Sequence, residues 1–109
     1  MKVLERLRQK RQELLARIGL IEEMRRGSVT RQFLKVRLKS QAEPVLSGPY
    51  ALFTRKSGGR TVGRRLQDPE EIRQLEQQVE NYHAFQGLCR QLVEVSEQIC
   101  EHKDKEHSR

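Results

Sequence analysis

Apolar residues change their period twice along this chain. Over residues 2–26, Leu4, Leu7, Leu14, Ile18 and Ile21 recur at three- and four-residue steps, and Arg11 stands where one more would complete the heptads. Leu15 and Met24 widen the stripe, while Arg, Lys, Gln and Glu, all good helix formers, fill the other faces. The spacing predicts a helix over 1–27. Gly27 is placed to end it in a left-handed cap, behind Arg25 and Arg26 at the carbonyl end.

Residues 28–66 read differently. Leu34, Val36 and Leu38 alternate with Lys35, Arg37 and Lys39, the period of a half-buried strand from Val29 to Lys39 with a cationic outer face. Ser40–Ser47 is polar and contains Pro44, which predicts a loop with a short extended piece at Val45–Leu46. Gly48-Pro49 then marks a turn or the start of a strand. Alternation resumes over Tyr50–Lys56, Ser57-Gly58-Gly59 supplies a hairpin turn, and Arg60–Leu66 returns. The three segments form a basic antiparallel β-meander. A three-residue loop sets Phe53 opposite Gly63 and a two-residue loop shifts that register by one, and both remain open.

Asp68-Pro69-Glu70-Glu71 opens a second helix. Asp68 can cap it, Pro69 suits its first position, and Glu71 can reach back to complete a capping box. Its seam runs through Ile72, Leu75, Val79, Tyr82, Phe85, Leu88, Leu92, Val95 and Ile99. The step of three from Tyr82 to Phe85, with Gly87 just beyond, predicts a bend or a change of packing partner there. The helix spans 68–101, and the charged tail 102–109 frays. The expected fold is a single α+β domain over 1–109: two long helices forming an antiparallel helical hairpin or coiled coil, with a small three-stranded antiparallel sheet at one end. The second helix is longer by about two turns, and a second copy of the chain would cover the excess. A homodimer follows.

Composition narrows the picture. The 109 residues are 35% hydrophobic and 34% charged, with no Trp, enough for a narrow helical seam and one sheet face. No apolar run approaches the ~18–20 residues that cross a bilayer. The N-terminus MKVLERLRQKRQ is charged where an export signal is apolar. These features point to the cytoplasm and away from membranes. Cys89 and Cys100 lie eleven apart in one helix, about 16 Å along its axis, too far to bridge each other.

Charge alters it most. The net charge is +7, yet residues 27–66 hold nine Lys or Arg against Glu43 alone, whereas residues 68–109 carry ten acids and five bases. Cations on a strand can serve only to keep its face wet and its edges unpaired, but that purpose does not require segregation. A compact cationic β-element implies contact with a polyanion. Arg55, Lys56 and Arg60 at the hairpin tip, with Arg64 and Arg65 behind, are the first candidates, followed by Arg31, Lys35, Arg37 and Lys39. Their role would be charge pairing to phosphate, with one tip arginine reading a base edge. β-ribbons enter the DNA major groove in several binders, which favours DNA over RNA. Tyr50 and Phe53 are candidates to stack on bases, although a chain with five aromatics needs them for its own core.

Other chemistry finds little support. His83, His102 and His107 form no recognisable catalytic constellation, and no common catalytic motif is present, so an enzyme is not expected. His83, Cys89, Cys100 and His102 lack the paired spacing of a zinc site, so neither a metal nor a cofactor is expected. The alternative to nucleic-acid binding is a coiled-coil interaction or oligomerisation module that docks on an acidic partner.

Met24-Arg25-Arg26-Gly27-Ser28, Gly48-Pro49-Tyr50 and the hairpin RKSGGRTVGRRL make the chain resemble a family of small prokaryotic proteins with no assigned activity. The likeness spans roughly residues 14–100. Members share a helix, a Gly-Ser step, a Gly-Pro-Tyr motif opening a hairpin, and a long second helix. They often accompany transposases, so the resemblance implies a mobile-element accessory protein, with a transposase as a candidate protein partner. Many members carry a cysteine cluster before Gly-Pro-Tyr. Here that region is VRLKSQAEPVLS, and any metal role does not carry over. In outline the hairpin is also similar to the three-stranded arm-binding domains of tyrosine recombinases, a likeness of shape alone.

Overall fold

The computed structural model describes residues 2–36 and 45–107, and for 33–36 and 45–49 the backbone alone. Helix α1 (Val3–Leu20) is followed by strands β1 (Ser28–Val36), β2 (Val45–Ser57) and β3 (Arg60–Leu66) and by helix α2 (Pro69–His107). The class is α+β, and the strands form one antiparallel sheet in the order β1-β2-β3. The chain packs as two compact units, Met24–Glu80 and a helical unit of Met1–Glu23 with Asn81–Arg109.

The sheet unit rests on its register. β2 and β3 close through a two-residue turn, with Ser57 opposite Arg60 and Phe53 opposite Arg64. Gly58 and Gly59 both take positive φ (58° and 81°), the conformation a tight hairpin turn needs to match the strand twist. This settles the alternative left open by Ser57-Gly58-Gly59. Between β1 and β2 the register shifts once. Gln32 faces Tyr50 and Leu34 faces Ser47, so Phe33 is opposed by both Gly48 and Pro49. Proline cannot donate to a ladder, and a bulge is where a strand tolerates it. Gly48-Pro49 therefore lies inside β2, which starts at Val45 rather than at Tyr50. The expected residues Arg37, Leu38 and Lys39 of the first strand, and the expected loop as far as Pro44, lie outside the described residues.

One face of the sheet is apolar. Ala51, Phe53 and Leu66 are buried together with Ile72, Leu75 and Val79 of α2, and Val29 packs against them. The helix starts as its first residues predict. Asp68 Oδ1 accepts the Glu70 N–H at 3.1 Å, and the Asp68 carbonyl accepts the Ile72 N–H at 3.0 Å. The capping box is not completed. Glu71 instead accepts from Arg64 at 2.7 Å, because the register brings that guanidinium over the first turn.

The helical unit has its own core: Leu14, Leu88 and Val95 are buried, with Leu7, Ile18, Ile21, Leu92 and Ile99 packed around them. Along α2 the packing partner changes between Val79 and Leu88. Val79, Tyr82, Phe85 and Leu88 succeed one another by three, which carries the apolar stripe around the helix rather than along it. The helix continues to His107, past the expected end at Glu101, and His102 Nε2 lies 3.3 Å from Glu106 Oε1 one turn on.

Helix α1 is shorter than its periodicity implies. It stops at Leu20 and not at Gly27, with Ile21 extended at φ −82°, ψ 106°. Gly19 weakens this end. Beyond it, tertiary bonds hold the backbone: the Glu23 carbonyl accepts from Asn81 Nδ2 at 2.9 Å, and the Arg25 N–H donates to the Gln78 carbonyl at 3.0 Å. Gly27 does take positive φ (136°), but it leads into β1 and caps no helix. A Cβ there would stand 2.6 Å from the Thr54 carbonyl oxygen and 2.8 Å from Phe53 Cε2. Gly27→Ala is expected to cost about 2–3 kcal/mol, from backbone strain and overpacking together. Gly58→Ala, which meets no neighbouring atom, should cost nearer 1 kcal/mol. Urea midpoints of the two variants check the order.

Candidate functional site

Strand alternation sorts the sheet's cations onto two faces. Residues paired across the ladders share a face, so Val29, Arg31, Ala51, Phe53, Arg55, Arg64 and Leu66 lie on the side that α2 covers. The helix answers two of those arginines with acids. Arg31 donates to Glu76 Oε1 and Arg64 to Glu71 Oε1, each at 2.7 Å. Arg73 of α2 is paired with Glu70 one turn earlier. On the opposite face Ser28, Thr54, Lys56, Thr61 and Arg65 stand in register with Tyr50 and Leu52. The Arg65 guanidinium carbon lies 4.9 Å from the centre of the Tyr50 ring, a cation–π contact. The Ser28 and Thr54 hydroxyls share a hydrogen bond of 2.9 Å.

The nine expected cations thus meet different surroundings. Arg31 and Arg64 are neutralised by carboxylates of the following helix, and Arg65 is spread over an aromatic ring. Arg55, Lys56 and Arg60, flanking the Gly58-Gly59 turn, are exposed and have no ion pair among the described residues. Arg37 and Lys39 lie outside the described residues. Lys35 is placed by its backbone alone, opposite Leu46. Phe53 is buried in the core and Tyr50 is half-buried beneath Arg65, so both aromatics are occupied within the sheet.

Two concavities lie among the described residues of the sheet unit. One, of about 440 Å³, is lined by Arg26, Gly27, Ser28, Thr54, Arg55, Lys56 and Thr61. The other, of about 570 Å³, is lined by Arg31, Tyr50, Ala51, Gln67, Pro69, Ile72 and Arg73. Both arginines of the second are ion-paired; the first contains no acid among the described residues. Sequence reading passed over Arg26 and Ser28, because the helix expected over 1–27 made Arg26 a helix-end charge.

Elsewhere little converges. Among the described residues no three His, Cys, Asp or Glu side chains come together to hold a metal ion, and Cys89 and Cys100 are free thiols. Among these residues no helix is long and apolar enough to cross a membrane. Comparison with protein-family models, with curated proteins and with solved structures finds no match to this chain.

The ion pairs hold exposed partners. In the Arg31–Glu76 and Arg64–Glu71 pairs the side chains keep 40–59% of their accessible surface, which places them with surface pairs worth up to about 1 kcal/mol. A double-mutant cycle of Arg31→Ala with Glu76→Ala is expected to give a coupling of about 0.2–1 kcal/mol, shrinking as salt is added. A coupling several times larger would mean that the pair holds the helix on the sheet.

Proposed function

We propose that this chain is a small DNA-binding accessory protein without catalytic activity, which contacts phosphates through the hairpin end of its sheet. One observation carries the reading. The cations beside α2 are met by Glu71 and Glu76, while those around the Gly58-Gly59 turn are met by no acid among the described residues. Counter-charges that cancel one side and spare another leave a defined electropositive patch, the footprint of a polyanion site. Arg55, Lys56 and Arg60 pair with phosphates, and Arg31, Arg64 and Arg65 play a lesser part than the sequence alone implies. Double-stranded DNA is the preferred ligand, because the aromatics that would stack on unpaired bases are already engaged.

The helices set the frame for assembly. In this reading α1 and the second half of α2 form an antiparallel helical hairpin, which is supported by the core of Leu14, Leu88 and Val95 and by contacts at both ends of α1. Lys2, Val3 and Leu4 share a cleft with His102 and Glu106, and Glu23 meets Asn81. Val93, which keeps 55% of its surface exposed, and the length of α2 favour a homodimer. The chain works in the cytoplasm, and its resemblance to proteins that accompany transposases makes a mobile-element role, with a transposase as partner, the proposed context. The competing reading, a helical interaction module, draws on the same exposed Val93 and needs no duplex.

Binding to an arbitrary duplex should weaken steeply with salt, and Arg55→Ala, Lys56→Ala and Arg60→Ala together should reduce the slope of log K against log salt by about 2–3. Conversely, Glu71→Gln with Glu76→Gln should release Arg31 and Arg64 and steepen the slope by about 1–2. Fluorescence anisotropy across a salt series reads both. Binding indifferent to salt, or equal in the triple variant, would favour the interaction module.

A further inference from the structure

The 440 Å³ cleft at the start of β1 has the makings of a phosphate seat. Three cationic residues line it: Arg26 from the segment before β1, and Arg55 and Lys56 from the end of β2, where Lys56 shares the face of Ser28, Thr54 and Thr61 and Arg55 stands on the other. Three hydroxyls join them, from Ser28, Thr54 and Thr61. Hydroxyls donate to phosphate oxygens as readily as they accept, so they add direction to the charge. Ser28 and Thr54 already share one hydrogen bond of 2.9 Å, so one of the two O–H groups is spent on the other and the second is left to donate.

The surroundings explain why this charge persists. Every arginine whose ion pair is seen in the sheet unit (Arg31, Arg64 and Arg73) takes its acid from α2. Among the described residues no carboxylate lines the cleft, and Arg26, Arg55 and Lys56 have no ion pair. Gly27 contributes shape. Its φ of 136° and its lack of a Cβ let the backbone pass against Thr54 and Phe53, which brings Arg26 and Ser28 to the end of β2. Arg25 anchors the segment from the other side through its N–H and Nε, which donate to the carbonyl and side-chain oxygens of Gln78. The cleft is therefore tied to the core and does not rest on a loose loop.

We infer that this cleft seats one phosphate group, with Arg26 as the cation that closes it, and that in the complex the group is a phosphodiester of the duplex backbone. The second half of the inference rests on the function proposed above; the first does not. Two measurements separate them. Inorganic pyrophosphate titrated into the full chain, followed by amide chemical shifts, should move Gly27, Ser28 and the Thr54–Lys56 amides and leave the helical unit still. Shifts spread evenly over all cationic segments, or none, overturn the seat. Arg26→Ala should then abolish the pyrophosphate shifts and lower the salt slope of duplex binding by about one. The conservative Arg26→Lys should restore most of both, which a merely structural role would not require.

A wild-type chain that binds duplex with the same slope as Arg26→Ala overturns the assignment of the group to the duplex backbone and leaves the hairpin reading intact. A chain whose cleft takes pyrophosphate in an Arg26-dependent way but binds no duplex supports the seat and overturns the nucleic-acid reading, with a small phosphate compound as the ligand source. Because Arg26 is exposed and outside regular structure, its substitution is not expected to unfold the chain.

Discussion

The structure depends on the burial of one sheet face beneath the first turns of α2. Ala51, Phe53 and Leu66 meet Ile72, Leu75 and Val79, and burying such side chains supplies the main favourable free energy available to so small a unit. That contact has an electrostatic consequence. Once the face of Phe53 is turned to the helix, Arg31 and Arg64 are carried with it, since they share its side of the ladder. They then meet Glu76 and Glu71, which helix periodicity puts beside the apolar positions Ile72, Leu75 and Val79. Arg55 shares that side too but lies nearer the hairpin turn and has no ion pair among the described residues, so face and position along the ladder together decide which cations are cancelled.

A sequence count places +8 on residues 27–66 and invites one broad patch. The fold divides that charge instead: the part near α2 is internal to the unit's own electrostatics, and the part near the hairpin turn and the start of β1 faces outward. The proposed polyanion contact rests first on Arg26, Arg55, Lys56 and Arg60, since Arg31, Arg64 and Arg65 are engaged within the unit, while Arg37 and Lys39 lie outside the described residues and Lys35 is placed by its backbone alone. The hydroxyls of Ser28, Thr54 and Thr61 give it a place.

What could be read from the residues follows the range of the forces involved. The start of α2 was legible because Asp68 and Pro69 act on their immediate neighbours, and so was the hairpin, because two glycines supply the positive φ it needs. The hairpin register was not, since Ser57-Gly58-Gly59 suits two loop lengths and the choice belongs to the packing of Phe53 and Leu66. The end of α1 was misread for a similar reason. Ile21 and Met24 extend the apolar stripe, and nothing local announces that Asn81 and Gln78 take the backbone bonds of the following segment. Gly27 carries the signature of a helix cap, and only the 2.6 Å approach to Thr54 shows what it is for. Ion pairs such as Arg31 with Glu76, forty-five residues apart, depend on register and face together and have no sequence signal at all.

Hydrogen–deuterium exchange of the full chain, with and without a saturating short duplex, tests the account most directly. Exchange should slow at Gly27–Ser28 and from Thr54 to Thr61, with β1 near Arg31, the start of α2 and the helical unit little changed. Protection centred on α1 and the second half of α2, or on the Glu71 and Glu76 side of the sheet, would contradict it, because the division of charge would then have no bearing on what the protein binds.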